Sequence, residues 1–460
     1  MVSQRFKLSD HPALAQAAAF PIIPLFIWDK EDPDNPGGAS QWWLHKSLIS
    51  LQKSLNAYGL KLILRRGNPL KILEDLVTSH NVSRLYWSRC YEPYTLERDK
   101  KIKAFFKPYI QVQSFNASLL TEPWTLKTHS GSPYHIFTPY WKALKALGSF
   151  DVPLCIPKNL KGYGGSIPSD DLEAWNLHPT HSDWSQGLEK EWKPGEEGAQ
   201  RNLSFFIENL IQTYERNRDL PDLPATSKLS PHLHWGEISP RQVWHSALSY
   251  SLGPPSNDVW TFLSELAWRE FSYYLLYHFP ELPQNPLRQS FDKFPWSKDQ
   301  DALNRWQKGM TGYPIVDAGM RQLWHTGWMH NRVRMIAASF LVKDLLISWQ
   351  TGASWFLDTL VDADLASNSA SWQWVAGCGV DAAPYFRIFN PIIQGKKFDP
   401  QGKYVRHWIP ELDLLPDKYI HTPCEAPTNI LKSAGIRLGE TYPYPLVGSY
   451  KSPSSCAQSF

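Results

Sequence analysis

Short apolar runs alternate with amphipathic segments over the first 120 residues of the chain. The apolar runs predict strands at Phe20–Trp28, Leu60–Leu64, Ser83–Trp87 and Tyr109–Ser114. Apolar residues three and four apart predict helices at Ser40–Tyr58, which Gly59 would end, and at Pro69–His80. This βαβα order predicts a doubly wound parallel sheet. Neither GxGxxG nor GxxxxGK[ST] occurs, so the pattern indicates no loop for nucleotide phosphates.

Residues 121–195 have a different character, with frequent prolines and the run Gly162–Gly165. Their Trp and Tyr content is too high for a disordered segment. We therefore predict a long connector that lies on the surface of two domains.

The chain beyond Gly198 has helical periodicity and little strand-like alternation. The predicted helices are Arg201–Asn217, Pro240–Leu252, Ser256–His278, Val316–Thr326, Asn331–Trp349 and Trp355–Leu360. The second domain is therefore predicted to be all-α. The Pro-, Ser- and Tyr-rich end, Tyr442–Phe460, is predicted to be a frayed tail.

Composition places the chain among globular enzymes of two or three domains. It has 460 residues, 42% hydrophobic and 20% charged, with 22 tryptophans. The net charge of +3 neither demands nor excludes nucleic acid, so any phosphate-binding surface must be local. Five scattered cysteines without a CxxC pair indicate no zinc site or disulfide framework. Because neither a long apolar run nor an apolar leader is present, we expect a cytoplasmic protein.

The densest chemistry lies in Val361–Trp374, where two acids, the amide of Asn368 and two tryptophans fall within 13 residues. Hydrogen-bonding groups beside large π-systems suit a bound redox ring. Trp372 and Trp374 are two positions apart, roughly 200° around a helix, so they should face different surroundings.

Two other segments allow a functional and a structural interpretation. Thr226–Ser230 is a run rich in small hydroxyls entering a helix, which suits either a pyrophosphate or an ordinary helix cap. Glu265 and Trp268 share one helix face and could line a pocket or fill a core.

Several motifs together resemble the cryptochrome/photolyase family, most closely cyclobutane pyrimidine dimer photolyases of the class I and class III groups. They are Thr226–Pro240, Glu265–Phe271, Thr311–Ala318, Gly327–Met335, Val361–Trp374 and Asp381–Pro391. The resemblance implies a Rossmann-like α/β antenna domain (1–120), the connector (121–195), an all-α FAD-binding catalytic domain (196–441) and a tail (442–460).

The same resemblance implies a set of flavin contacts. They are Tyr214, Thr226, Ser227, Lys228, Leu229, Ser230, Trp260, Arg269, Trp328, Arg334, Asp362, Ala363 and Asp364. Arg334 is expected to pair with Asp362 beside the flavin ring, and Asp364 to accept from ring N–H groups. The active cofactor would be reduced FAD, FADH⁻.

Further roles follow from the resemblance. The lesion and catalytic residues would be Glu265, Trp268, Asn331, Met335, Asn368 and Trp374, with Asn368 near flavin N5. Electrons would pass along Trp372, Trp349 and Trp296, although each alone is more simply explained as core. DNA contacts would be Arg218, Arg332, Arg387 and Gln394, with surface salt bridges as the alternative for Arg332 and Arg387.

Three positions favour repair of cyclobutane dimers over other activities of the family. Met329–Met335 lacks the histidine pair of (6-4) photolyases. Asn331, Asn368 and Met335 stand where plant-type blue-light receptors differ. The resemblance therefore predicts that excited FADH⁻ gives one electron to a flipped-out dimer and splits it. A (6-4) photolyase and a flavin-binding light receptor without repair activity are the alternatives.

An antenna chromophore is also implied. Asp183–Leu188 and Lys193–Glu196 resemble the class III group, which favours methenyltetrahydrofolate over 8-hydroxy-5-deazaflavin. The expected partner is UV-damaged DNA, which would draw the protein to the nucleoid. We expect a monomer without membrane or metal.

The start of the chain departs from the family. Members usually open with an apolar strand ending in Trp-Phe-Arg-Arg-Asp-Leu-Arg, and only the end of that motif survives in Met1–Leu14. The first strand is therefore expected to be missing, which implies either a misassigned start or a compromised antenna domain. Losing a central strand should leave neighbouring backbone unpaired and apolar surface bare.

Overall fold

The computed structural model describes residues 6–179, 183–250, 253–381 and 387–448. Its strands are β1 (Pro21–Ile22), β2 (Leu25–Trp28), β3 (Ile63–Arg66), β4 (Arg84–Ser88), β5 (Gln111–Phe115) and β6 (Lys161–Gly162). The helices of the first half are α1 (Pro12–Ala17), α2 (Gly38–Asn56), α3 (Pro69–Ser79), α4 (Pro93–Phe106), α5 (Phe137–Ala146), α6 (Gln186–Glu191), α7 (Glu196–Asn209) and α8 (Tyr214–Asn217). The remaining helices are α9 (Ser230–His234), α10 (Pro240–Ser249), α11 (Asn257–His278), α12 (Gln300–Gln307), α13 (Pro314–Thr326), α14 (Asn331–Ser339), α15 (Trp349–Thr359), α16 (Leu365–Ala376), α17 (Pro391–Phe398), α18 (Lys403–Trp408) and α19 (Thr428–Ser433).

The predicted alternation of strands and helices in the first 120 residues is confirmed. β2 pairs with β3 in parallel from Leu25 and Ile63 onward, and β4 pairs with β5 in parallel. The predicted strand Phe20–Trp28 is divided into β1 and β2. Pro24 lies between the two parts, and a proline has no backbone N–H to give to a strand ladder.

The sheet of this region consists of separate parallel pairs. Among the described residues, the pairs are β1–β6, β2–β3 and β4–β5, and no hydrogen-bonded ladder joins one pair to another. A cavity of about 380 Å³ is lined by side chains of α1, α3, β2 and β4, which include Ala13, Ala17, Leu25, Leu73, Leu76 and Leu85. The expectation that the antenna domain is compromised stays a prediction.

The second half of the chain is helical, as predicted, but two of the predicted helices are divided. Asn331–Trp349 ends as an α-helix at Ser339, passes through a π-helical turn at Phe340–Asp344 and restarts at Trp349. Leu346 has φ +54°, which breaks the helical path, and the Ser348 hydroxyl accepts from Thr351 N–H to cap the new helix. Arg201–Asn217 is likewise divided into α7 and α8. The predicted end of α10 at Leu252 lies outside the described residues.

Two compact units divide the fold. The first comprises the described parts of 1–212, 227–280 and 361–367, and the second those of 213–226, 281–360 and 368–460. The family-based boundaries at 120, 195 and 441 stay predictions. The predicted frayed tail was wrong at its start: Tyr442 is buried and its hydroxyl donates to Asp317 at 2.7 Å, and Leu446 N–H donates to the carbonyl of Thr311 at 2.9 Å. No described helix is long and apolar enough to span a bilayer. No group of three potential metal-binding His, Cys, Asp or Glu side chains occurs in the described ranges.

Candidate active site

A buried carboxylate, Asp364, is the polar centre of the first unit. Its Oδ2 accepts from the Tyr273 hydroxyl at 2.5 Å and lies 3.2 Å from His234 Nδ1. Its Oδ1 accepts from the backbone N–H of Ser367 at 2.7 Å, in the first turn of α16. Both oxygens are therefore held in fixed positions by helices α9, α11 and α16.

The surroundings of Asp364 keep it ionised. Burial would raise its pKa, but the His234 hydrogen bond and charge, the Arg269 charge and the Tyr273 hydrogen bond hold the pKa well below its usual value. A buried, permanently charged acceptor of this kind suits N–H donors of a bound ring.

Asp362 lies two residues earlier and is tied to the start of α9. The Ser230 hydroxyl donates to its Oδ2 at 2.6 Å. Trp235 Nε1 donates to the carbonyl of Val361 at 3.2 Å, which anchors the same loop. Ala363, between the two acids, is partly exposed. The predicted hydroxyl-rich helix start thus directs one hydroxyl at a predicted flavin-site acid.

The loop before α9 turns sharply at Lys228, which has φ +50°. The Lys228 ammonium pairs with Glu191 and lies 5.7 Å from the ring centre of Trp192. Leu229 is buried, whereas Ser227 is only partly so. Lys228 is therefore positioned by the connector segment.

Arg269 has a buried hydrogen-bond donor that lacks an acceptor. Its Nη1 donates to the carbonyl of Ser118 at 2.8 Å, and its guanidinium lies 4.9 Å from the ring centre of Tyr273. Its Nη2 is buried and makes no hydrogen bond. Because a buried donor without an acceptor costs about 1–3 kcal/mol, Arg269 fits contact with an anionic group such as FAD.

Three further predicted residues lie on α11. Trp268 stacks face to face on Phe137, with ring centres 3.7 Å apart and planes 10° from parallel. Trp260 packs edge-on against Trp141 and Trp244 at 6.2 and 6.3 Å. Glu265 and Trp268 both keep part of their surface exposed, as a pocket lining requires.

An aromatic group in the second unit surrounds Trp372. The buried Trp372 ring contacts Phe356 at 5.1 Å and Trp306 at 6.4 Å between ring centres. A methyl group added at Gly352 would overlap the Trp372 ring, so the glycine makes room for it. Gly352 lies three residues after Trp349 on α15, which puts Trp372 and Trp349 beside one helix face.

Trp296 lies next in the predicted order. Ser297 N–H donates to the carbonyl of Leu346 at 2.7 Å, and Ser297 forms a parallel bridge with Ile347. This bridge holds Trp296 near the start of α15, where Trp349 is buried. Trp296 itself is partly exposed. Exposure thus increases from Trp372 and Trp349 to Trp296, as a path to the surface requires.

Helix α16 directs its two tryptophans to different surroundings, as their spacing predicts. Trp374 is partly exposed and lies 6.2 Å from Phe389, whose ring also lies beneath the Arg387 guanidinium at 5.4 Å. Asn368 Nδ2 donates to the carbonyl of Ala353 at 3.1 Å, which fixes the orientation of its amide.

Helix α14 carries the predicted Asn331 and Met335, which are exposed and partly exposed. Arg334 Nε donates to the carbonyl of Met329 at 2.7 Å, and the guanidinium lies 5.9 Å from the ring centre of Trp328. The pairing of Arg334 with Asp362 stays a prediction.

The predicted DNA contacts differ in their surroundings. Arg332 forms a salt bridge with Asp219 at 2.6 Å, as expected under the alternative to DNA contact. Arg218 lies over the ring of the buried Tyr214 at 5.4 Å. Arg387 is exposed and Gln394 is partly exposed, so both are accessible to a ligand. Residues 382–386 of the Asp381–Pro391 motif lie outside the described residues.

Sequence reasoning missed three residues that position this site. His234 and Tyr273 hold Asp364, and the signal for Tyr273 is its position one turn after Arg269. Gln373, which lies between Trp372 and Trp374 in the sequence, is fully buried. Its Nε2 donates to Leu282 and Asn285 carbonyls at 2.8 Å, and its Oε1 accepts from Leu287 N–H at 3.0 Å.

Comparison with known proteins identifies the family. Residues 3–158 match the model of the DNA photolyase family, and residues 262–460 match the FAD-binding domain of DNA photolyase. A deoxyribodipyrimidine photo-lyase of Agrobacterium fabrum is 50% identical over 445 residues, which cover 96% of this chain and 92% of the relative. The chain belongs to the cryptochrome/photolyase family. Its matched FAD-binding domain makes FAD its cofactor.

Solved structures agree with this family. A bacterial class III photolyase from Agrobacterium tumefaciens superposes with a TM-score of 0.96 at 48% identity, covering 100% of this chain and 96% of that one. A cryptochrome of Synechocystis superposes with a TM-score of 0.89 at 29% identity, covering 100% and 98%. The predicted fold class, an N-terminal α/β region and a C-terminal helical FAD-binding region, is confirmed.

Proposed function

We propose that this photolyase-family enzyme repairs cyclobutane pyrimidine dimers in UV-damaged DNA, using blue light and reduced FAD. The observation that carries the proposal is Asp364, a buried carboxylate with a hydrogen bond to each oxygen, in a chain 50% identical to a deoxyribodipyrimidine photo-lyase. Reduced FAD, when bound, supplies the electron that opens the dimer.

The first unit offers a matched set of groups for the flavin. Asp364 remains anionic at neutral pH and can accept from ring N–H groups. The orphaned Arg269 Nη2 can donate to an anionic part of the cofactor. Ser230 and Asp362 are joined by a hydrogen bond, so the hydroxyl and the carboxylate are held together before any ligand binds. These groups orient the flavin and exclude water.

Partly exposed aromatic and polar side chains supply the lesion contacts. Trp268 and Trp374 are both partly exposed, so each indole is accessible to a base that stacks on it. Glu265, one turn before Trp268, can hydrogen-bond a pyrimidine edge. A dimer already pairs and stacks poorly, so flipping it out of the duplex costs less than flipping an intact base.

Three residues that match repair enzymes rather than light receptors support the proposal by their surroundings. Asn368 has its amide orientation fixed by Ala353, so its side chain presents a constant hydrogen-bonding pattern. Asn331 and Met335 are both accessible on α14. A receptor without repair activity, related to the cryptochromes that also resemble this chain, is the competing function.

Replenishment of the reduced cofactor is assigned to Trp372, Trp349 and Trp296. The first two are buried beside one face of α15, and the third is partly exposed. Two buried indoles followed by a partly exposed one would provide a route for electrons from solvent.

The proposed function is tested by illuminating the chemically reduced protein with a thymine-dimer oligonucleotide. Recovery of thymine absorbance is expected under blue light and not in the dark. Undamaged oligonucleotide of the same sequence is the matched control. If flavin remains bound and reduced but no thymine absorbance returns, repair is excluded and light reception without repair is favoured.

We also infer that the antenna chromophore is methenyltetrahydrofolate, with 8-hydroxy-5-deazaflavin as the alternative. The similarity to a class III photolyase supports this choice, because the resemblance of the connector to the class III group was the reason to expect the folate. Acid extraction followed by chromatography against both standards separates the two. The monomeric state and the location on cytoplasmic DNA stay predictions.

A further inference from the structure

The face-to-face contact between Phe137 and Trp268 is unusual among the ring contacts of the first unit. Aromatic pairs generally prefer offset or edge-on arrangements with centres about 4.5–7 Å apart. Here the centres are 3.7 Å apart and the planes are nearly parallel at 10°. Phe137 therefore covers one face of the Trp268 indole almost completely.

The rings behind this pair hold it in position. Phe271 contacts Phe137 at 5.9 Å and Trp268 at 6.0 Å, in both cases edge-on. Phe137 is the first residue of α5 and is buried. Three residues earlier, the Tyr134 backbone N–H donates to the Tyr274 hydroxyl at 2.8 Å, and that hydroxyl donates to the Leu126 carbonyl at 3.0 Å. The connector thus fixes Phe137 against α11.

Trp268 still keeps part of its surface exposed, although Phe137 covers one face. The accessible surface consequently lies on the other face and the ring edges. A planar ligand can stack on this second face only if the plane of the indole keeps its orientation, because a base stacks over a limited range of interplanar angles. Phe137 prevents the indole from rotating toward the connector.

We propose that Phe137 is a positioning residue for lesion recognition, which acts by holding Trp268 flat so that a pyrimidine of the dimer completes a three-layer stack. This rests on the proposed function, because it requires that Trp268 contacts the lesion. Phe137 itself touches neither DNA nor flavin in this arrangement. Its contribution should appear in affinity for the damaged site and not in flavin binding.

The test measures binding of the reduced protein to a thymine-dimer oligonucleotide and to its undamaged counterpart in the dark. Phe137→Leu keeps apolar volume but removes the flat ring, and should weaken dimer binding about 2- to 12-fold, the range expected for one aromatic pair. Binding to undamaged DNA and flavin content should not change. Phe137→Tyr should restore wild-type affinity, and Phe105→Leu, at an exposed ring on α4, is the matched control.

A double-mutant cycle shows whether Phe137 acts through Trp268. In a Trp268→Leu background, Phe137→Leu should change dimer affinity by less than about 2-fold. If Phe137→Leu matches wild type while Trp268→Leu weakens dimer binding, the positioning role is overturned and the proposed function stands. If wild type itself does not prefer dimer DNA, the proposed function fails instead. Should Phe137→Leu not fold, Phe137→Met replaces it, and unchanged affinity there also overturns the role.

Discussion

The surroundings of Asp364 and the cavity beside α1 belong to the same unit but are built differently. Around Asp364, both carboxylate oxygens are engaged, by Tyr273, His234 and the backbone of Ser367. Beside α1, mainly apolar side chains of α1, α3, β2 and β4 surround about 380 Å³. Around Asp364 the polar groups are therefore closely fixed, whereas beside α1 apolar space is left unfilled.

This difference indicates where precision is required. A charged group that tunes a flavin must stay within a few tenths of an ångström of its position, and a full set of hydrogen bonds achieves this. An apolar cavity only forfeits dispersion contacts. We therefore expect substitutions near Asp364 to change activity, and substitutions near the cavity to change stability alone.

The largest effect is expected for Asp364→Asn. The change removes a buried negative charge that Tyr273, His234 and the Ser367 backbone hold in place, and breaking a buried charged group of this kind typically costs about 3–5 kcal/mol. The protein should lose flavin on purification, and Asp362→Asn should do the same through its loss of charge beside Ser230. Flavin absorbance per protein measures this. Asp75→Asn, at an exposed site on α3, is the control. An Asp364→Asn protein that keeps its full flavin content would contradict the role of Asp364 in holding the cofactor.

A smaller effect is expected at Glu270, a buried acid with fewer partners than Asp364. Burial, opposed by Arg269, raises its pKa from 4.5 to about 8, and one oxygen accepts from Leu120 N–H at 2.8 Å. A carboxyl whose folded pKa is raised stabilises the fold when protonated, so stability should fall as pH rises from about 4.5 to 8. Glu270→Gln should remove about 2–4 kcal/mol of this dependence.

Urea unfolding at pH 6 and pH 8 checks the Glu270 prediction. Wild type should be less stable at pH 8, and Glu270→Gln should show nearly equal stability at the two values. Glu197→Gln, at an exposed position on α7, should retain the wild-type dependence. If the stability of wild type and of Glu270→Gln changed equally between pH 6 and pH 8, Glu270 would not be the source of the pH dependence.

Gly352→Ala tests the close packing of the helical region. The new methyl group would overlap Trp372, so the fold should lose about 1–3 kcal/mol. Displacement of the indole should also slow photoreduction of the flavin. Transient absorption after a blue flash measures the rate, and thermal unfolding measures stability. Gly253→Ala, at an open position, is the matched control. Unchanged photoreduction would remove Trp372 from the electron path.

The smallest effect, and one of opposite sign, is expected for Ala17→Leu. Ala17 lines the cavity, so a larger apolar side chain should gain about 0.5–2 kcal/mol. Ala15→Leu is on the same helix and does not line the cavity, which makes it the matched control. Denaturant midpoints measure both. A loss of stability in Ala17→Leu would show that the α/β region is as closely packed as the helical one.

Sequence patterns indicated candidate site residues, but they did not indicate the contacts of those residues. Asp362, Asp364, Asn368, Trp372 and Trp374 were recognisable because they lie close together in one short segment. The groups that hold Asp364 come from α9 and α11, about 130 and 91 positions away in the chain. No local pattern reveals such contacts, because they depend on how distant helices pack.

Element types were likewise more predictable than element ends. Apolar periodicity gave the parallel strands and most helices, since burial of one face is a local property. The break between α14 and α15 was missed, because a π-helical turn and a positive φ at Leu346 do not disturb the apolar spacing.

The sequence by itself determined the family, the fold class and the FAD cofactor, and it indicated the residues that are proposed to favour dimer repair. These rest on residue identity and spacing, which the chain carries directly. Only the tertiary structure showed that Asp364 is held by His234 and Tyr273, that Arg332 pairs with Asp219, and that Phe137 covers one face of Trp268. The physical reason is that hydrogen bonds, ion pairs and ring stacks form between side chains distant in sequence, and only folding brings them within reach.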